Sequence, residues 1–320
     1  MKLFEHSDFD QATLQAAEHF RHRGLRPAII EKDYYVTEAL RIIAATAGDK
    51  IIFKCGTSLA KGWNLIQRFS EDIDIFLDPM AFKPPLGKRA IDREAKKLRD
   101  AVGAHPALTL LPNEGQTIGG FGRSDRFSYT KHFGGPGEVA NRVLVEAGTA
   151  SGRQPTAIVE LRSYLSQFLQ ESGHSLEADD EGTFPLLLLH FRRTFIEKMF
   201  AIHSKVELLK RDGQKLGSYA RHYYDLFQLA AHPEVIAMLK SAEYAAIKED
   251  YDQISRVHFP KSYFHPGEMR FANSDAPFPP ADLAATISAE YQAQCRMLCY
   301  GPYPSWAEIQ ARLLDLRELL

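Results

Sequence analysis

Two aspartates one residue apart, Asp72 and Asp74, sit in the run RFSEDIDIFLD (residues 68–78). Alternating acidic and apolar residues there mark a strand, DIDIFLD, that ends at Pro79. Strand side chains alternate between faces at about 3.3 Å per residue, so the two carboxylates point the same way, roughly 6 to 7 Å apart along the strand. Such a pair can converge on hard cations. Magnesium prefers oxygen ligands and commonly combines one or two carboxylates with substrate phosphates, and a paired-metal site stabilises the attacking and leaving oxygens of phosphoryl transfer. Upstream lie Gly56, Thr57 and Ser58, separated from Asp72 by the 13 residues 59 to 71. Small residues at that point let backbone N–H groups and hydroxyls approach a triphosphate. An isolated D-x-D also has a plainer reading as a solvated or salt-bridged strand pair, and G-T-S alone is weaker still.

The elements that must hold these residues follow from pattern and punctuation. FDQATLQAAEHFRHRG has helical spacing and stops at Gly24, and Pro27 then opens AIIEKDYYVTEALRIIAATAG, a second helix closed by Gly48. The β-branched run KIIFKCG predicts the first strand, ending at Gly56, and TSLAKGWNLIQRF a turn and short helix. Residues 88–103 predict a charged surface helix. The glycine-rich NEGQTIGGFGRSDR leads into two strands, RFSYTKHF and RVLVEAG. After IVELRSYLSQFLQ comes a polar stretch, ESGHSLEADDEG, and then long helical patterns at PLLLLHFRRTFIEKMFAIHSKVELLK and SYARHYYDLFQLAAH. The expected fold is therefore α+β: a small mixed β-sheet flanked by helices in residues 1–165, joined to a mainly helical C-terminal lobe in residues 166–320. Residues 258–282 carry five prolines and many aromatics. They predict an ordered extended arm, because so many aromatics need burial.

With 320 residues, 45% of them hydrophobic and 25% charged, the chain can bury a substantial core and suggests about two domains. No window approaches the ~20 apolar residues that cross a bilayer, and MKLFEHSDFDQ lacks the basic-then-apolar order of a secretory signal. A cytoplasmic protein without membrane partners is expected. Cys55, Cys295 and Cys299 are too few for a disulfide framework and lack zinc-site spacing. A net charge of -2 argues against coating nucleic acid through overall charge, but leaves a local basic patch open.

The order strand, G-T-S turn, short helix and strand with D-x-D resembles the signature of the DNA polymerase β type nucleotidyltransferase superfamily. The longer strings IIEKDYYVTEALR, FKCGTSLAKGWNLIQRFSEDIDIFLD, RTFIEKMFAIHSK and RHYYDLFQLA are similar to the AbiEii and MenT family of nucleotidyltransferase toxins. The similarity continues into YQAQCRMLCYGPYPSWAEI and is weak between residues 80 and 165. It implies a nucleotidyltransferase core packed on a helical lobe, an NTP substrate, magnesium or manganese as cofactor, and a cognate antitoxin encoded nearby. Some members add nucleotides to tRNA 3′ ends, so a tRNA acceptor is implied too.

Position by position, the resemblance assigns Gly56, Thr57 and Ser58 to the phosphate-binding turn, Ser70 to a place beside the site, and Asp72 and Asp74 to metal. Lys198 and Asp225 become the helical lobe's contribution. A lysine suits the NTP phosphates as a mobile point charge, and Asp225 could orient that lysine or the substrate. Their plainer reading is an interhelical ion pair, or a local pair of Asp225 with Arg221. The superfamily commonly uses a third carboxylate on a later strand to activate the attacking hydroxyl. In RVLVEAG, Val143 and Val145 would face the core while Leu144 and Glu146 face the other way, which makes Glu146 the candidate. Its alternative is an exposed strand-end glutamate. Glu31, Lys32 and Asp33 are expected to brace the core.

Two basic features stay open. Arg89, Arg93 and Lys96 or Lys97 recur at helical spacing and could meet RNA phosphates, although Asp92, Glu94 and Asp100 dilute the stripe. GGFGRSDRFSYTKHF interleaves Arg123, Arg126 and Lys131 with Phe121, Phe127 and Tyr129, either for unpaired bases or as a surface hairpin with core-facing aromatics. The expected reaction is attack by a 3′ hydroxyl on the α-phosphorus of an NTP. Its rivals are the same chemistry on a protein or small molecule, and a catalytically silent nucleic-acid or protein-binding module.

Overall fold

The computed structural model describes residues 1–70, 72–134 and 140–320. In chain order the elements are α1 (Phe9–His19), α2 (Pro27–Ala47), β1 (Ile51–Lys54), α3 (Cys55–Lys61), β2 (Asp72–Leu77), α4 (Lys88–Gly103), β3 (Thr109–Leu110), β4 (Gln116–Ile118), β5 (Gly122–Ser128) and β6 (Arg142–Gly148). Then come β7 (Thr156–Leu161), α5 (Tyr164–Glu171), β8 (Phe184–Leu189), α6 (Phe191–Asp212), α7 (His222–Ala230), α8 (Pro233–Leu239), α9 (Ala242–His258), α10 (Ala281–Leu298) and α11 (Trp306–Asp315). The fold is a mixed sheet flanked by helices, as expected, with further helices toward the C-terminus.

The chain divides into two compact units. One holds Met1–Gly62, Phe69–Thr149 and Thr156–Leu188; the other holds Trp63–Arg68, Ala150–Pro155 and Leu189–Leu320. Neither unit is one continuous run of sequence.

In the first unit the described residues form an eight-stranded sheet in the order β3-β5-β6-β2-β1-β8-β7, with β4 also on β5. β2 is its organising strand, antiparallel to β1 and parallel to β6. Because directly paired residues share a face, register sorts the side chains. Ile73 pairs Val145, and Ile75 pairs both Phe53 and Ala147. These five are buried, with Val143 and Phe127 continuing the same face across β6 and β5. Helices α2 and α4 pack on β6, and α4 also on β5, with Ala95, Leu98 and Val102 of α4 buried.

Three consecutive charges on α2 are fixed inside the same unit. Glu31 accepts from the backbone N–H groups of His132 (2.7 Å) and Phe133 (3.3 Å). Lys32 donates to the carbonyls of Ala140 and Arg142, and Asp33 binds Lys61 at 2.6 Å and the Tyr164 N–H at 2.8 Å. Glu31 and Lys32 are wholly buried, so their hydrogen bonds must offset the desolvation of charge. They tie α2 to the segments flanking β6, which is the bracing role expected of them.

Several local expectations are corrected. PLLLL is strand β8, parallel to β1 with Phe53 opposite Leu188, and the helix begins only at Phe191. A short apolar run reads alike in strand and helix until its pairing is known. The glycine-rich segment does not merely precede strands: it forms the β4–β5 hairpin, turned by Gly119 and Gly120 at φ 55° and 75°, a conformation glycine adopts without steric cost. Cys55 to Ser58 belong to the first turn of α3.

In the second unit, α6 starts under a cap from the His190 side chain and ends at left-handed Gly213. Its buried residues Phe195, Met199, Phe200 and Val206 pack with α7, α8 and α9. Of the proline-rich stretch, Phe271, Ala272 and Ala276 are buried. Among the described residues no helix is long and apolar enough to cross a membrane.

Ile73 lies between the two aspartates of β2 but faces the core. Ile73→Ala should therefore lower unfolding free energy by about 2–5 kcal/mol in urea titration. A loss under about 0.5 kcal/mol would show that this face is not the packed one.

Candidate active site

The expected face of β2 is the observed one: Asp72 and Asp74 are partly exposed, with buried Ile73 and Ile75 alternating between and after them. Register extends this into a row across four strands. Lys54 on β1 pairs Asp74, Asp74 pairs Glu146 on β6, and Glu146 pairs Ser124 on β5. Glu146 thus stands on the aspartate face, partly buried, and is not an exposed strand-end residue. Burial, and then the charges of Asp74 and Asp72, raise the Glu146 carboxyl above its ordinary range, while Lys54 and Arg126 oppose the shift. Lys54 was not singled out from sequence. It lies within the first predicted strand, KIIFKCG, but only the β1–β2 register brings it opposite Asp74.

The G-T-S residues are placed by the junction between β1 and α3. Cys55 adopts φ 65°, an uncommon conformation for a residue with a side chain, of the kind that gathers at functional sites. The Thr57 hydroxyl donates to the Asp72 carbonyl at 2.5 Å and lies 2.9 Å from the Ser70 hydroxyl. Ser58 is fully buried and donates to the Cys55 carbonyl at 2.9 Å. Both hydroxyls are thus engaged within the fold, Thr57 bracing α3 against the start of β2 and Ser58 closing the first turn of α3. Gly56 lies beside them in the first turn of the helix, where backbone N–H groups have no partner within their own helix.

No set of three or more His, Cys, Asp and Glu side chains is gathered as a metal site among the described residues. The donor chemistry nonetheless suits a hard divalent cation. Asp72, Asp74 and Glu146 offer oxygens on one face, and the repulsion that Asp74 and Asp72 add to the effect of burial on Glu146 is the kind a cation relieves. Cys55, Cys295 and Cys299 are free thiols.

The second unit holds a separate cluster of charge. Arg68 grips Asp225 with two parallel hydrogen bonds of 2.7 Å, and the Lys198 ammonium lies 2.8 Å from the same carboxylate. His222 Nδ1 accepts from Lys198 at 3.2 Å. Asp225 is wholly buried; Arg68 and Lys198 are nearly so. Burial works against the Asp225 charge, but Arg68 and Lys198 outweigh it and hold the carboxyl well below its usual range. Burial, followed by the Lys198 charge, lowers His222 to about 3, so its ring is neutral. One carboxylate therefore serves two cations. Lys198 on α6 and Asp225 on α7 do form an interhelical pair, but the strongest partner of Asp225 is Arg68, not the Arg221 that helical spacing offered.

Arg68 is the residue sequence reasoning passed over, although it opens the RFSEDID run. It is set in the second unit by its neighbours. The Gln67 N–H donates to the Tyr224 hydroxyl at 3.0 Å, the Arg68 backbone bridges to Cys299, and Trp63 donates to the Leu189 carbonyl at 3.2 Å. The basic hairpin residues are committed too. Arg123 pairs Asp125 at 2.5 Å and Arg126 donates to the Glu114 carbonyl at 2.6 Å, while Phe127 and Tyr129 are buried. These aromatics are core-facing and do not stack on bases.

A strand, a short helix and a second strand carrying paired carboxylates, with a third carboxylate on the parallel neighbour, define the chain as a nucleotidyltransferase. The family described as "Nucleotidyl transferase AbiEii toxin, Type IV TA system" matches residues 39–312. The chain belongs to that family, and is a nucleotidyltransferase toxin of a type IV toxin–antitoxin system. In fold it is similar to MenT4, a nucleotidyltransferase toxin from Mycobacterium tuberculosis H37Rv, with a TM-score of 0.54 and 15% identity over 96% of this chain and 88% of that one. No curated protein sequence matches it.

Asp225→Asn should leave Arg68 and Lys198 without their buried counter-charge and cost about 3–5 kcal/mol of stability. The depressed Asp225 pKa places the benefit of this charge above the ordinary carboxylate range, with loss as pH falls through the depressed value. The deficit of the variant, read by urea unfolding, should accordingly be full at neutral pH and shrink in strong acid. A neutral-pH deficit under about 1 kcal/mol would remove the cluster's structural role.

Proposed function

We propose that the chain transfers a nucleotide from an NTP to the 3′ hydroxyl of an RNA, with a tRNA end as the acceptor. The observation that carries this reading is the row Lys54, Asp74, Glu146 on one sheet face, with Asp72 beside it. Asp72 and Asp74 would hold magnesium or manganese, which when bound supplies positive charge to the phosphate oxygens. The backbone at Gly56, Thr57 and Ser58 receives the triphosphate, and Ser70 and Thr57 hold that turn to β2. Glu146 takes the proton of the attacking hydroxyl. The new oxygen–phosphorus bond forms at the α-phosphorus as the bond to pyrophosphate breaks. A raised pKa suits this task, because a stronger base at working pH accepts the proton more readily. Lys198 is assigned to the phosphates on family resemblance, with Asp225 orienting it. The tRNA acceptor likewise rests on resemblance to the family.

Incubation with labelled NTPs and total cell RNA or protein tests the acceptor: label should enter RNA, at tRNA 3′ ends. Label entering protein or small molecules instead would replace the acceptor while keeping the chemistry. Asp72→Asn and Asp74→Asn should each lower transfer by about a hundredfold or more, since even residues that merely support metal ligands cost 10- to 100-fold. Expression of the wild-type chain should slow bacterial growth, and at equal protein level the Asp72→Asn variant should not. Toxicity that survives this substitution would separate growth arrest from nucleotidyl transfer.

Glu146 yields a pH test. With its pKa raised, the carboxyl stays protonated above the ordinary glutamate range, so transfer should rise with pH as the proton is lost. Glu146→Gln should slow transfer by about 10²–10⁴-fold and flatten that limb of the profile. An unchanged limb in the variant would move the base elsewhere.

A further inference from the structure

A second basic site lies on the other face of the sheet. Helix α4 and the β4–β5 hairpin enclose a cavity of about 540 Å³, lined by Lys88, Arg89, Asp92 and Lys96 from the helix and by Gly120 and Arg123 from the hairpin, among others. Arg123 pairs Ala147, which pairs Ile75. Arg123 therefore stands on the core-packed face, opposite to Asp74 and Glu146, and the sheet separates this cavity from the carboxylate row.

The charge of the lining is not balanced. Asp92 binds Lys96 at 2.8 Å and lies 3.6 Å from Arg123, and Arg123 is otherwise held by Asp125. These contacts account for both cations and leave Lys88 and Arg89, exposed residues with no hydrogen bond or ion pair among the described residues. Gly120 sets the position of Lys88. A Cβ built on Gly120 would fall 2.5 Å from Lys88 Cε and 2.9 Å from Nζ, so the missing side chain lets the lysine stem lie along the hairpin. Ile91 and Ala95 add an apolar floor between the two walls.

We propose that this cavity binds a phosphate-bearing ligand of nucleotide size. Its volume falls within the ~300–1,000 Å³ of small-molecule sites. Two uncommitted cations on adjacent residues supply charge-assisted hydrogen bonds to phosphate oxygens, and the apolar floor accepts a ribose or the edge of a base. The same chemistry recognises a free nucleotide and a phosphodiester segment of RNA. The site needs no metal, because its own side chains provide the positive charge. It stands independently of the transfer reaction on the opposite face.

The test is equilibrium binding of fluorescent ATP and of a short labelled single-stranded RNA, measured by anisotropy in EDTA so that metal-dependent binding at the aspartates is silent. The double variant Lys88→Glu/Arg89→Glu changes two exposed residues, and its fold is checked by circular dichroism. It should weaken one probe by about tenfold or more, whereas Lys88→Arg/Arg89→Lys should keep wild-type affinity. Loss confined to ATP identifies a free nucleotide. Loss for RNA, with a salt dependence shallower by roughly 1.4 for two phosphate contacts, identifies the backbone. If wild type binds neither probe, or if charge reversal leaves both affinities within about twofold, the proposal is overturned.

Discussion

The pleat of β2 is the constraint from which the sheet unit follows. Adjacent side chains on a strand cannot share a face, so a strand reading Asp-Ile-Asp-Ile must present carboxylates on one side and branched apolar groups on the other. Burial of Ile73 and Ile75 fixes the register strongly, because a slip by one residue would drive both aspartates into the core and both isoleucines out of it. The hydrophobic side of β2 thereby does the positioning for the polar side. Pairing with β1 and β6 then carries the same sorting sideways, which is how Lys54 and Glu146 come to stand level with Asp74.

Charge is handled in opposite ways in the two units. On the sheet, carboxylates crowd on a partly exposed face, and Glu146 is driven toward its neutral form by burial and by its neighbours. In the helical unit, a wholly buried carboxylate is kept ionised because Arg68 and Lys198 both reach it. Neutral His222 completes the second cluster by accepting from Lys198 without adding charge.

Much of this was legible in the sequence where chemistry and spacing coincide along a few residues. The face shared by Asp72 and Asp74, the β-branched first strand, the ends of α2 at Pro27 and Gly48, and the alternation that puts Glu146 opposite Val145 all arise from local periodicity and punctuation. So did the structural part of Glu31, Lys32 and Asp33, although their partners could not be named. What failed was local ambiguity. PLLLL carries no period that separates strand from helix, and its partner β1 lies more than a hundred residues away in sequence. The hydroxyls of Thr57 and Ser58 look equally available in a string of letters, yet the fold uses both in the junction between strand and helix.

By itself, then, the sequence determined the period-two face of β2, the class of chemistry that paired carboxylates permit, and membership of a family whose motifs are continuous in the chain. Tertiary structure alone decided which distant residues share an environment. Arg68 and Asp225 are 157 positions apart, and no local rule joins them, because a buried ion pair is selected by the dielectric and packing around both partners. The raised Glu146, the neutral His222 and the unbalanced cavity between α4 and the β4–β5 hairpin belong to the same class. Each depends on how much water and which charges surround a group, and those are set only when separate segments close around it.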